Sequence, residues 1–134
     1  MARIRIHISL GDGHSIGPGK ARLLEAVGES GSISAAARSM GMAYRHAWEL
    51  IDDMNQCFRS PVVEATSGGR AGGGAALTPF GDEVVRRFRA MEEAACAAMA
   101  RDLEALERKV VGARAPRKRS RRPTQRSPGG SKRD

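Results

Sequence analysis

The stretch "GSISAAARSMGMAYRHAWELIDDMNQ", residues 31–56, decides the fold. Ile33, Ala36, Ala37 and Met40 recur at spacings of three and four, one face of a short helix, and Ser32 or Ser34 can cap its start. Gly41 ends it. From about Ala43 to Gln56 a second helix buries Ala47, Leu50, Ile51 and Met54 at the i, i+3, i+4, i+7 spacing. Its other face carries Arg45, His46, Glu49, Asp52 and Asp53. A helix-turn-helix needs a small residue where its helices pack closely and a glycine free to take positive φ in the turn. Ala37 and, four residues on, Gly41 supply both.

Outward from this pair the flanking segments are also patterned. "RIRIHISL", residues 3–10, alternates strictly, with Ile4, Ile6, Ile8 and Leu10 on one side, and predicts a strand. "GDGHSIGPGK" reads as a loop, after which Pro18 opens a helix running to about Val27 with Leu23, Leu24 and Val27 inward. Downstream, Val62 to Ala65 and Ala75 to Thr78 predict a hairpin around a glycine-rich loop. Thr78 can cap a long helix of about residues 79–111, with Pro79 in its first turn and Asp82 and Glu83 near its positive end. Its apolar series is Phe80, Val84, Phe88, Met91, Ala95, Met99, Leu103, Leu106 and Val110. Some 30 residues at 1.5 Å each span about 45 Å, more than a small core can cover. Phe88, Met91, Ala95, Met99, Leu103 and Leu106 are therefore expected at a seam with a second chain.

The fold class is mainly α with a small β component: a winged helix-turn-helix with an N-terminal strand, a β-hairpin wing and a long C-terminal dimerisation helix. Residues 1–112 are expected to form this domain, and 113–134 a basic disordered tail. The net charge of +8 is confined to that tail, since residues 1–112 carry fourteen Lys/Arg and fourteen Asp/Glu. "RAPRKRSRRPTQRSPGGSKRD" lacks apolar periodicity, and its cations, Arg117, Lys118, Arg119, Arg121 and Arg122 among them, would neutralise phosphates without choosing sequence.

In a helix-turn-helix the later helix offers its N-terminal residues to base edges while the earlier one crosses the backbone. The expected DNA-binding set is Ser34 and Arg38 on the first helix and Ala43, Tyr44, Arg45, His46 and Glu49 on the second. Arg70 joins them from the wing loop. Arg45 suits the bidentate pair with guanine O6 and N7, Tyr44 and His46 suit phosphate or base, and Ala43 suits a thymine methyl. Trp48, one turn beyond Tyr44, is expected to wedge this helix against the wing. Asp52 and Asp53 repel phosphate, which confines contact to the first two turns.

Other chemistries find little support. "SGGRAGGGAAL" lacks the GK[ST] ending of a P-loop and leads into a strand. Cys57 and Cys96 are isolated, fit buried thiols in a reducing compartment, and form no metal-ligand motif with His7, His14 or His46. No nucleophile, base and orienting acid cluster in a motif, so no catalysis is expected. No run approaches the roughly 20 apolar residues of a membrane helix, and a cytoplasmic, nucleoid-associated protein is expected.

"GSIS", "YRHAW", "MNQ" and the wing ending "GGGAALT" together resemble the N-terminal DNA-binding domain of ModE-type molybdate-responsive transcriptional regulators, a LysR-like winged helix; the likeness covers about residues 3–110. The resemblance implies a homodimer joined largely through the long helix, binding double-stranded palindromic operators of molybdenum transport or molybdoenzyme genes. In that family paired molybdate-binding domains follow, whereas here the basic arm follows. No cofactor is therefore expected in this chain: either molybdate is sensed only indirectly, through a separate molybdate-binding protein, or the regulator has no direct oxyanion response. Two other readings stand beside this one: an effector-independent architectural DNA binder, and a DNA-binding subunit that pairs with such a protein.

Overall fold

The computed structural model describes residues 3–66 and 74–112. The chain divides into two units, residues 3–98 and, within the described part, residues 99–112. The larger unit holds strands β1 (Ile8–Gly11) and β2 (His14–Ile16), helices α1 (Pro18–Ser30), α2 (Ile33–Ser39) and α3 (Tyr44–Cys57), and strands β3 (Val63–Thr66) and β4 (Gly74–Leu77). Helix α4 (Pro79–Glu107) begins in this unit and ends in the other.

The N-terminal segment departs from the single strand expected over residues 3–10. Only its end pairs, as β1 with β2, in the register Ile8↔Ile16, Ser9↔Ser15 and Gly11↔His14. Because β2 is three residues long, it offers no ladder to residues 3–7. Ile4, Ile6 and Ile8 nevertheless stay half-buried between exposed neighbours, so the alternation survives without the pairing. The expected loop "GDGHSIGPGK" contains the hairpin turn: Asp12 and Gly13 have φ of 50° and 80°, the positive values that two-residue hairpin turns require.

Helix α1 opens at Pro18 and closes where the Gly31 N–H donates to the Val27 carbonyl, a turn later than its apolar stripe suggests. Ala21, Leu23, Leu24, Ala26 and Val27 are buried and form a core with Ala36, Ala37, Ala47, Ile51, Met54, Val62, Ala75, Val84 and Phe88. Five alanines, Ala21, Ala26, Ala36, Ala37 and Ala47, are buried among these three helices, and their small side chains let the helices approach closely. At the lower edge of the core Phe58 and Phe80 meet edge to face, ring centroids 5.2 Å apart.

The wing strands pair Val63↔Leu77, Glu64↔Ala76, Ala65↔Ala75 and Thr66↔Gly74, each one residue later or earlier than the sequence pattern indicates. β4 is held to the end of α1 by the Ala75 N–H on the Gly31 carbonyl, 3.0 Å. A Cβ at Gly74 would lie 2.5 Å from that same oxygen, so only glycine fits there. The Thr78 hydroxyl donates to the Pro61 carbonyl and accepts from the Gly81 N–H, capping α4 and tying it to the start of the wing.

In the larger unit α4 buries Val84 and Phe88. Phe88 is 1% exposed and belongs to the core of its own chain, so it leaves the set expected at an intermolecular seam. Met91 is exposed and Ala95 half-buried. In the smaller unit Met99 and Leu106 are exposed and Leu103 is half-buried; the helix ends at Glu107, four residues before the expected boundary.

Candidate nucleic-acid interface

The turn between α2 and α3 is built from backbone. Met40 donates to the Ala36 and Ala37 carbonyls, Gly41 to Arg38 and Met42 to Ala37, which folds the chain back within four residues. Gly41 makes this possible with φ of +69°. Of the two serines able to cap α2, Ser32 does so, accepting from the Ala35 N–H at 3.0 Å. Ser34 and Arg38 are exposed on the outer side of α2.

Helix α3 starts differently. Its N-cap is Ala43, which has no side-chain acceptor, so the first N–H groups of the helix point outward without a protein partner among the described residues. Such a terminus favours an anionic oxygen. Around it Ala43, Tyr44, Arg45, His46, Trp48 and Glu49 are all exposed, while Ala47 between them is fully buried. Arg38 and Arg45 make no ion pair among the described residues, in contrast to Lys20 and Arg89, which are engaged in the scaffold.

The far half of α3 is fixed to its surroundings. Asp53 accepts from Lys20 Nζ at 2.7 Å, and that bond holds its carboxyl below the ordinary range; His14 Nδ1 lies 3.7 Å from its other oxygen. Asp52 accepts from Gln56. The Asn55 side chain accepts from the Val62 and Val63 N–H groups and donates to the Val63 carbonyl, joining α3 to the wing. Asn55 carries the "MNQ" likeness, yet periodicity alone assigns it nothing, since it lies on neither the apolar nor the reading face. A second clamp joins α1 to α4: Arg89 donates to both Glu25 oxygens and to Glu92. Arg89 holds Glu25 below the ordinary carboxylate range, and the two carboxylates raise Arg89 in turn.

Trp48 is placed otherwise than expected. One side of it borders a groove of about 260 Å³ with Ile33, Val63, Ala65 and Gly74, but the residue remains 47% exposed, so it does not fill the space against the wing. Cys57 is half-buried, and burial pushes its thiol up; Cys96 is exposed on α4, which corrects the reading of both as buried thiols. Among the described residues no three His, Cys, Asp or Glu side chains gather as a metal site would. No helix of the described residues is long and apolar enough to cross a membrane. Arg70, expected in the wing loop, and Arg117, Lys118, Arg119, Arg121 and Arg122 of the basic segment lie outside the described residues.

Three helices, a glycine turn, an outward uncapped helix start and a hairpin beside it define a winged helix-turn-helix of the DNA-binding class. Residues 19–82 match the family of bacterial regulatory helix-turn-helix proteins of the lysR type. The same part of the chain is similar to proteins of the ModE kind. It is 46% identical over 80 residues to the molybdenum-pterin-binding protein MopB of Rhodobacter capsulatus, covering 60% of this chain and 30% of that protein. To the molybdenum transport protein ModE of Azotobacter vinelandii it is 39% identical over 88 residues, 66% of this chain and 33% of that one. To the DNA-binding transcriptional dual regulator ModE of Escherichia coli K12 it is 39% identical over 71 residues, 53% and 27%. The chain thus spans about a third of the length of these relatives.

Proposed function

We propose that this protein is a sequence-specific DNA-binding transcriptional regulator of molybdenum transport or molybdoenzyme genes, a binding protein and not an enzyme. The observation that carries the reading is the start of α3, where uncapped N–H groups and the exposed Tyr44, Arg45, His46 and Glu49 face outward together. The molybdenum assignment is supported by relatives named for molybdenum transport and regulation. Their names do not favour the architectural reading.

In this reading the protein acts in the cytoplasm as a homodimer on a palindromic operator, with Met91, Ala95, Met99, Leu103 and Leu106 at the seam. The exposure of Met91, Met99 and Leu106 supports that placement. Residues 113–134 add affinity of the kind any DNA would share. The domain binds DNA without a cofactor of its own, and molybdate acts indirectly, through a separate molybdate-binding protein. Selection of bound duplexes from random DNA, with and without molybdate, tests the whole. A palindromic consensus unchanged by molybdate is expected, and recovery of unrelated sequences overturns the reading.

A further inference from the structure

Tyr44 and Trp48 stand four residues apart on α3, hence on one face, and are 55% and 47% exposed. With Arg45 and Glu49 they line a shallow hollow of about 390 Å³ on the outward side of the helix. No hydrogen bond engages the Trp48 indole N–H among the described residues, and no aromatic partner covers its ring. A large apolar surface is thus left open in the middle of the polar face that meets DNA.

We propose that Trp48 is a specificity-determining residue of this interface, whose ring packs on the 5-methyl group of a thymine in the major groove. The inference rests on the DNA-binding reading above. Beside the Trp48 ring itself two carboxylates disfavour the sugar-phosphate backbone as the occupant, leaving it to Arg45 and the helix start: Glu49 shares the hollow and Asp52 shares the groove on the other side of the ring, and both repel phosphate. A base edge is neutral, and thymine alone presents an apolar group in the major groove. Arg45, on the rim of the same hollow, then reads a guanine beside that thymine.

The test uses the full chain and a duplex from the selection, with each thymine replaced in turn by deoxyuridine, which removes only the methyl. At one or two thymines per half-site the wild-type affinity should fall about fourfold, the equivalent of one buried methyl group. Trp48→Ala should bind the thymine and uracil duplexes equally, whereas Arg45→Ala should still tell them apart. Trp48 is the sole tryptophan, so its emission should move to the blue on binding the thymine duplex. A consensus without thymine, equal wild-type affinity for every uracil duplex, or unmoved emission overturns the role of Trp48 while leaving the regulator reading intact. Absence of any consensus overturns both.

Discussion

The two ends of α3 are made of similar residue types and do opposite things. At the start, Tyr44, Arg45, His46 and Glu49 are exposed and the backbone N–H groups have no cap. At the finish, Asp53 and Asn55 are polar too, but Lys20 and the Val62–Val63 backbone satisfy them. Polarity alone does not mark a reading residue; a polar group that the fold leaves without a partner does. Mutations at the two ends should therefore separate stability from recognition.

The largest effect is expected at the anchored end. Asn55→Ala deprives the Val62 and Val63 N–H groups of their acceptor, and Val62 is fully buried. Leaving such donors dry costs about 1–3 kcal/mol each, so urea unfolding should show a loss of about 3 kcal/mol. The folded fraction should keep its preference among DNA sequences. If stability is kept and sequence preference is lost, Asn55 belongs to the reading end and the division of α3 fails.

Arg45→Ala should do the reverse. As an exposed residue without an ion pair among the described residues, it should change stability by no more than about 0.5 kcal/mol. Competition between duplexes should show a loss of about 1–3 kcal/mol confined to particular base pairs, the worth of a bidentate contact to guanine. Equal weakening on all sequences would reduce Arg45 to a phosphate contact.

The same contrast explains what the sequence could and could not disclose. The three-helix pattern is legible because Leu23, Leu24, Ala36, Ala37, Ala47 and Ile51 repeat at helical spacing, and periodicity is a local property. The turn is legible because Gly41 has few other uses there. Phe88 and Trp48 are not: Phe88 belongs to a continuous-looking series whose inner and outer members are sorted by packing, and Trp48 depends likewise on partners far away in sequence. Phe88 meets the core, while Trp48 stays exposed beside the described strands of the wing. The β1–β2 hairpin has its own signal in Asp12-Gly13, a strong turn pair, but the alternation over residues 3–10 extends past the short β2 and points to a longer strand. The role of Asn55 is not legible: it depends on the Val62–Val63 backbone lying against it, which no spacing within α3 encodes.

The smallest effect is expected from acid. Glu25 and Asp53 both have carboxyls held below their ordinary values of 4.5 and 3.8 by Arg89 and Lys20 respectively. A carboxylate whose folded pKa is depressed contributes its stability above the unfolded value and loses it as pH falls through the folded one. The contribution is therefore complete near neutrality, begins to fade below about pH 5 and is gone once both carboxyls are protonated. Both pairs are partly solvated, so each is worth about 0.5–1 kcal/mol at most. Asp53→Asn should be less stable than wild type by that amount at pH 7 and equal to it in strong acid, as read from urea midpoints at each pH. A gap that persists in acid would mean that Asp53 anchors α3 through shape and hydrogen bonding rather than charge, and the anchored end would then rest on Asn55 and packing alone.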